Sequence, residues 1–372
     1  MNAGTSQRPD TEGDETRKLS SGHQNWSGDH HGSEQAAGQD GAERTARQWI
    51  DVVTHYRQPN LERSVLEIVV TVVPFAGLWV LAWLALDVSY VLTLLLAIPA
   101  GLFLVRLFLI QHDCGHGAFF KKRATNDWVG RTLGVLTMTP YAVWQRDHAI
   151  HHSDSGNLDE RGLGALTTLT VDEYKARSWW GRLRYRLYRN PLVMFVLGPA
   201  WVFLVQQRVP AGHLDNTQFW LSAMGTNAVF AALFVGLGSL VGFGPLIMVH
   251  LPIVLIAASV GVWLFYIQHQ FEDTYWEWQE DWNIHDAAFH GSSHYDLPQP
   301  LRWLTANIGI HHVHHLYARI PFYRLPEVLR DFPELVGHRR LTLVESLKCL
   351  RLKLWDEKKK QLVTFREAMA AG

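Results

Sequence analysis

Cysteine is almost missing from this chain of 372 residues, which holds only Cys114 and Cys349. That scarcity excludes a disulfide framework, a CxxC zinc site and an iron–sulfur ligand set built within the chain. An excess of either charge is missing as well. With 34 Lys+Arg against 35 Asp+Glu, nothing marks a basic nucleic-acid binder. The chain also lacks a nucleotide-binding fingerprint and a haem motif of the cytochrome b5 kind, so any electrons it uses must come from elsewhere.

What is present is unevenly spread. The mean hydropathy of −0.05 averages a polar N-terminal stretch with apolar runs in the middle of the chain. Residues 1–45 are rich in Gly, Ser, Asp, Glu, Gln and Thr, with Trp26 almost the only large apolar side chain. Such a segment buries too little to offset ordering and is expected to be a disordered tail, with His23, His30 and His31 solvated. It has no apolar core of the kind a signal peptide needs. Residues 46–64 mix apolar and charged side chains and are expected to approach the membrane surface. Residues 336–372 are expected to form a basic, helical C-terminal segment.

Four stretches are long and apolar enough to cross about 30 Å of hydrocarbon, which takes roughly 20 helical residues. They are 65–87, 89–110, 219–241 and 245–267. Each pair is joined by a very short connection without Lys or Arg, so both pairs read as hairpins with a bare tip on one side. The other side receives Lys121, Lys122, Arg123, Arg131, Arg182, Arg184, Arg186, Arg189 and the basic stretch 339–360. The positive-inside rule makes that side cytoplasmic, together with both termini. Arg106 lies near that end of its helix and is expected to snorkel to the interface. A fifth apolar stretch, 191–205, is shorter than a span and contains Pro199, which suits a re-entrant or interfacial segment. Parity agrees, since a fifth crossing would strand the histidine clusters on opposite faces.

Histidine is the anomaly, with 20 residues. His112 and His116 lie at i and i+4 where the second span leaves the bilayer. His148, His151 and His152 follow at offsets 0, +3 and +4, and His311, His314 and His315 repeat that pattern around His312. Each spacing places imidazoles on one helical face, pointing at one metal. A lone HxxxH pair is usually structural. Eight clustered imidazoles on one side of a membrane are another matter, because polar rings are costly to bury without hydrogen bonds or a metal. They exceed the four ligands of one zinc and suit two metal ions with open positions, while imidazole alone does not choose among iron, copper, nickel and zinc. His269, just beyond the fourth span, is a further candidate ligand. Asn307, four residues before His311, is a candidate for contact with the site, directly or through water.

These boxes, His112-Asp-Cys-Gly-His116, His148-Ala-Ile-His151-His152 and His311-His-Val-His314-His315, resemble the HxxxH, HxxHH and HxxHH boxes of the integral-membrane fatty acid desaturases. The phrases at 151–159 and 307–323 are similar to the acyl-lipid, ω-6 or Δ12-type branch. The resemblance covers roughly residues 65–335, taken as the desaturase domain. It implies an all-α integral-membrane fold, with four transmembrane helices in two hairpins and a cytoplasmic helical cap carrying the metal site. It further implies a non-haem diiron centre, two iron ions ligated by His112, His116, His148, His151, His152, His311, His314 and His315, with His269 matching the family's extra ligand and His312 beside the ligands. Dioxygen is the implied co-substrate, ferredoxin or a similar donor with its reductase the electron source, and a fatty acyl lipid or acyl thioester the substrate.

Elementary chemistry agrees. An unactivated C–H bond has no acidic proton or polar handle, so ordinary acid–base catalysis fails and metal–dioxygen chemistry is required. A narrow apolar channel is needed to select one methylene pair and exclude water. The same ligands would serve a diiron hydroxylase or ketolase acting on a lipid. A membrane zinc protein predicts three or four essential histidines rather than nine. A histidine-lined transporter finds only His250 well inside a span.

Overall fold

The computed structural model describes residues 44–162 and 166–370. The expected tail therefore lies outside the described residues, apart from its last two positions. Helix α1 (Ala46–Val53) opens at a Thr45/Gln48 capping box, in which each side chain satisfies the other residue's backbone N–H. Its buried Trp49 meets Phe332 edge-to-face at 5.5 Å. The apolar side of this approach segment is thus turned inward, onto the C-terminal part of the chain.

The membrane part consists of four long helices. Helix α2 (Leu61–Leu84) starts at Asn60, whose side chain accepts the Arg63 N–H, and α3 (Tyr90–His116) starts at Ser89, which accepts from Val91. Helix α3 stops where Gly117 adopts a left-handed φ of 68° that suits glycine. Then come α4 (Arg123–Leu136), α5 (Tyr141–Asp154), the short strand β1 (Leu169–Thr170), α6 (Val171–Ala176) and α7 (Trp179–Tyr188). Helix α8 (Gly198–Leu204) precedes the second hairpin, α9 (Thr217–Val241) and α10 (Phe243–His269), which turns at Gly242. The four helices of the hairpins are long and apolar enough to cross a membrane. Their roles differ: 56% of the apolar window of α3 is inside the protein, against 6% for α9, so α3 is the central post and α9 faces outward.

Two boundaries differ from expectation in a way that matters for chemistry. Helix α3 runs six residues past position 110, and α10 ends at His269 rather than before it. The first histidine pair and His269 therefore ride on the ends of the spanning helices themselves. Arg106 does not snorkel. It is 1% exposed and pairs with Glu67, donates to Thr71 and to the Trp303 carbonyl, and lies 4.0 Å from the centroid of the Trp303 ring. A carboxylate facing it from α2 makes burial cheaper than a reach to the interface.

After α7 the chain runs through a π-turn at Val193–Leu197 into α8, and this stretch is bent by 57° from α7. Phe195 packs on Trp263 and Tyr266 of α10 at 5.2 and 5.3 Å, while Leu192, Val196, Trp201 and Val205 are exposed.

The cap follows: α11 (Ile284–His290), β2 (His294–Asp296), α12 (Leu301–Leu304), α13 (His311–Leu316), α14 (Leu325–Asp331), β3 (Arg340–Thr342), α15 (Leu343–Cys349), β4 (Leu354–Asp356), β5 (Gln361–Val363) and α16 (Phe365–Ala370). The C-terminal segment is accordingly not helical throughout. Strand β3 pairs in parallel with β2, and β4 pairs with β1 and β5, because Leu354, Trp355, Leu362 and Val363 alternate into small buried clusters that a lone helix could not reach.

Candidate metal centre

Nine buried or half-buried histidines converge where α3, α5, α10 and α13 meet. They form two groups: His112, His116, His148, His152 and His314, then His151, His269, His311 and His315. Within each group one ligand atom per residue lies within 4.8 Å of all the others. The residues singled out for metal binding in the sequence are the ones brought together.

Their distribution is subtler than one face per box. In α5 the i,i+4 pair His148/His152 enters the first group, while His151 reaches the second. In α13 the arrangement is reversed, with the pair His311/His315 in the second group and His314 in the first. An HxxHH box therefore straddles two positions, since on a helix of 3.6 residues per turn a residue at +3 is rotated about 60° from the one at 0 and about 100° from the one at +4. Each such box ties the two groups together; His152 and His315 stack with centroids 4.1 Å apart.

The nitrogen contacts decide what the groups can hold. Nε2 of His148 lies 3.0 Å from that of His116 and 3.2 Å from that of His152, which lies 3.2 Å from that of His314. In the second group Nε2 of His269 lies 3.0 Å from that of His151 and 3.1 Å from that of His311. One Nε2 carries either a single proton or a single lone pair, so a run of such contacts cannot be satisfied as hydrogen bonds among the rings. A shared cation satisfies them all. With metal–nitrogen bonds of about 2.0–2.1 Å, neighbouring ligands sit roughly 3 Å apart, the spacing seen here. His315 is the clearest case, buried with no partner at either ring nitrogen among the described residues.

Protonation points the same way. Burial, reinforced by neighbouring imidazoles, pushes His148, His151, His152, His311, His314 and His315 well below the ordinary histidine range. The rings are neutral at pH 7, the form that donates a lone pair.

Outer contacts orient the rings. Asp113 was not singled out in the sequence, although it sits between ligand positions. Its Oδ1 lies 3.2 Å from Nδ1 of His112, and its Oδ2 accepts the Phe322 N–H at 2.7 Å. His269 Nδ1 lies 3.0 Å from the Gly291 carbonyl. Gln145 donates to the Gly115 carbonyl at 2.8 Å and so fixes α5 against the end of α3.

Two expected neighbours of the ligands are placed elsewhere. Asn307 donates to the Phe322 carbonyl at 3.2 Å, holding the loop that grips Asp113 rather than a ligand ring. His312, one position from His311 and so on a different helical face, turns to His294 and His338, with centroids at 5.5 and 5.7 Å.

A cavity of about 320 Å³ leads to the metal groups between α3 and α10. Leu104, Phe108, Gly261 and Phe265 are among its apolar walls, and its lining includes His112 and His148 of the first group and His311 of the second. An extended apolar chain lying there would present its carbons to both.

The family model for fatty acid desaturase matches residues 89–346. A fatty acid desaturase of Bacillus subtilis (strain 168) is 47% identical over 317 residues, covering 84% of this chain and 89% of that protein. An sn-1 acyl-lipid omega-3 desaturase (ferredoxin) of Synechocystis is 26% identical over 291 residues, covering 75% of this chain and 77% of its own. An sn-1 oleoyl-lipid 12-desaturase of Anabaena variabilis is 24% identical over 288 residues, 72% of this chain and 75% of that one.

Proposed function

The chain belongs to the fatty acid desaturase family, and from that premise we propose that it uses dioxygen and electrons from a ferredoxin-type donor to place a double bond in the acyl chain of a membrane lipid. The carrying observation is the pair of histidine groups on the wall of an apolar cavity. We assign His112, His116, His148, His152 and His314 to one iron ion and His151, His269, His311 and His315 to the other. Bound there, the irons would supply the activation of dioxygen that oxidising an unactivated C–H bond requires.

The protein's own contribution is positional. Two hydrogens leave neighbouring methylenes, two electrons come from the donor and two protons from solvent, and dioxygen is reduced to two waters. Leu104, Phe108 and Phe265 hold the chain extended and keep bulk water from the reacting carbons. Asp113 and the Gly291 carbonyl hold His112 and His269 in one tautomer, so that Nε2 faces inward.

Position 12 is the carbon favoured by the phrases around the second and third boxes, and distant relatives named as 12-desaturases support it. Lipid-bound acyl chains are the substrates in those relatives' names, as ferredoxin is the donor in others. The histidine side is assigned to the cytoplasm because the basic stretches 121–123, 182–189 and 339–360 share it.

The test is gas chromatography–mass spectrometry of total fatty acids, with double bonds located by derivatisation, from aerobic cells that express the chain with ferredoxin and its reductase. A His315→Ala variant is the control. A new olefin absent from the control is expected. A hydroxylated or keto product instead would overturn desaturation, and an olefin at another carbon would overturn position 12.

A further inference from the structure

Away from the metal groups, a groove of about 1030 Å³ lies at the entry of α2 into the membrane region. Four cationic side chains line it, Arg63, Lys121, Lys122 and Arg324, against one carboxylate, Glu327. Arg63 is already paired with Glu67 at 2.8 Å and Arg324 with Glu327 at 2.9 Å. Lys121 and Lys122 are exposed and have no carboxylate partner among the described residues. Lys122 is also the cap position of α4, where no side chain satisfies the helix's first N–H groups. The lining is not purely polar, since Leu61, Pro59, Phe119 and Phe120 contribute apolar surface.

What continues from the groove identifies its occupant. Leu61, Val65, Val69 and Val73 are all exposed and recur every four residues, an unbroken apolar stripe that runs down α2 from the groove. A pocket of unpaired ammonium groups at headgroup height, continuous with an apolar stripe at chain height, has the polarity profile of a phospholipid. The stripe lies on a helix long and apolar enough to cross a membrane, so it borders lipid tails, whereas a protein donor would meet the cations alone.

We propose that this groove binds the phosphate of a membrane phospholipid through Lys121 and Lys122, with an acyl chain laid along Leu61, Val65, Val69 and Val73. The lipid is not the one being desaturated, because the groove shares no lining residue with the cavity that reaches the histidines. Its walls nevertheless touch the centre's support: Tyr323 follows Phe322, whose N–H holds Asp113. Tyr323 also ties α2 to the cap, accepting from the Asn60 N–H at 2.9 Å. Occupancy therefore braces the contact between α2 and the loop that orients His112.

The experiment titrates the full-length protein in detergent with dioctanoylphosphatidylglycerol, dioctanoylglycerol and inorganic phosphate, for the wild type, Lys121→Gln/Lys122→Gln and Lys121→Arg/Lys122→Arg. The glutamine pair is expected to weaken phosphatidylglycerol binding roughly thirtyfold, about fivefold per lysine, while the arginine pair keeps it. Dioctanoylglycerol should bind no better to the wild type than to the glutamine pair. Iron content and thermal midpoint of that pair should match the wild type before lipid is added, since both lysines are exposed. Equal phosphatidylglycerol affinity in the wild type and the glutamine pair would overturn the proposal. So would displacement of the lipid by inorganic phosphate at equal concentration, which would mark a phosphate-ion site. Unchanged lipid binding with a raised KM for ferredoxin would also overturn it and reassign the patch to the donor.

Discussion

Asp113 carries more of the centre than its place between two histidines suggests. One carboxylate oxygen steadies His112, and the other accepts the N–H of Phe322 from the segment that follows the third box. Asp113→Asn keeps the size and loses the charge, and partners of this kind typically contribute 10–100-fold in metal affinity or activity. Iron per chain after dialysis against a weak chelator, with turnover measured alongside, is expected to fall by about that factor while membrane insertion is unchanged. Gly261 poses the complementary question of substrate. A Cβ placed there meets no atom within 4 Å, and the residue borders the cavity proposed for the acyl chain. Gly261→Leu should therefore project into the cavity, and shift the product profile toward shorter or less deeply inserted chains. Equal product ratios for acyl chains of different length in this variant and the wild type would show that the cavity does not hold the substrate.

The helical boxes divide their labour by angle. In α5 and α13 the i,i+4 pair serves one group and the third histidine the other, so both helices bridge the centre. His151→Ala and His314→Ala should consequently differ in stoichiometry even though both abolish turnover. The first leaves the five-histidine group whole and one of the four ligands missing from the other; the second leaves the four-histidine group whole. Iron analysis of His151→Ala is expected near one tightly held ion per chain. Loss of both ions together in either variant would mean that the groups fill as one unit. Sequence spacing disclosed which side chains converge, because i,i+3,i+4 periodicity follows from helix geometry alone. It did not disclose the partition between groups, which depends on how α3, α5, α10 and α13 are rotated against each other. Arg106 teaches the same lesson: its charge near a helix end suggested snorkelling, and only tertiary packing brings Glu67 and Trp303 to it.

At the scale of the whole molecule, the hairpins were legible because a bilayer demands long uninterrupted apolar helices. The small strands β1 to β5 were not, because two- and three-residue strands carry too little periodicity to stand out and are fixed by non-local partners such as Leu169 with Leu354. The gathered histidines also give the fold a pH dependence whose sign can be worked out. Six of them outside the spanning helices have folded-state pKa values well below the ordinary range, chiefly through burial. In the unfolded chain each titrates near about 6.5. Between the depressed folded value and that unfolded value the unfolded state binds more protons, so stability rises with pH in that window. Lowering pH from about 7.5 toward 5 should thus destabilise metal-free protein progressively, with more than one proton taken up per chain on unfolding. Bound metal competes with the same protons, so the loaded protein should hold its thermal midpoint to lower pH than the stripped one. Differential scanning fluorimetry of both forms across that range measures the two curves. A thermal midpoint of the stripped form that stays flat, or rises, as the pH falls below 6.5 would contradict the burial of these rings in neutral form.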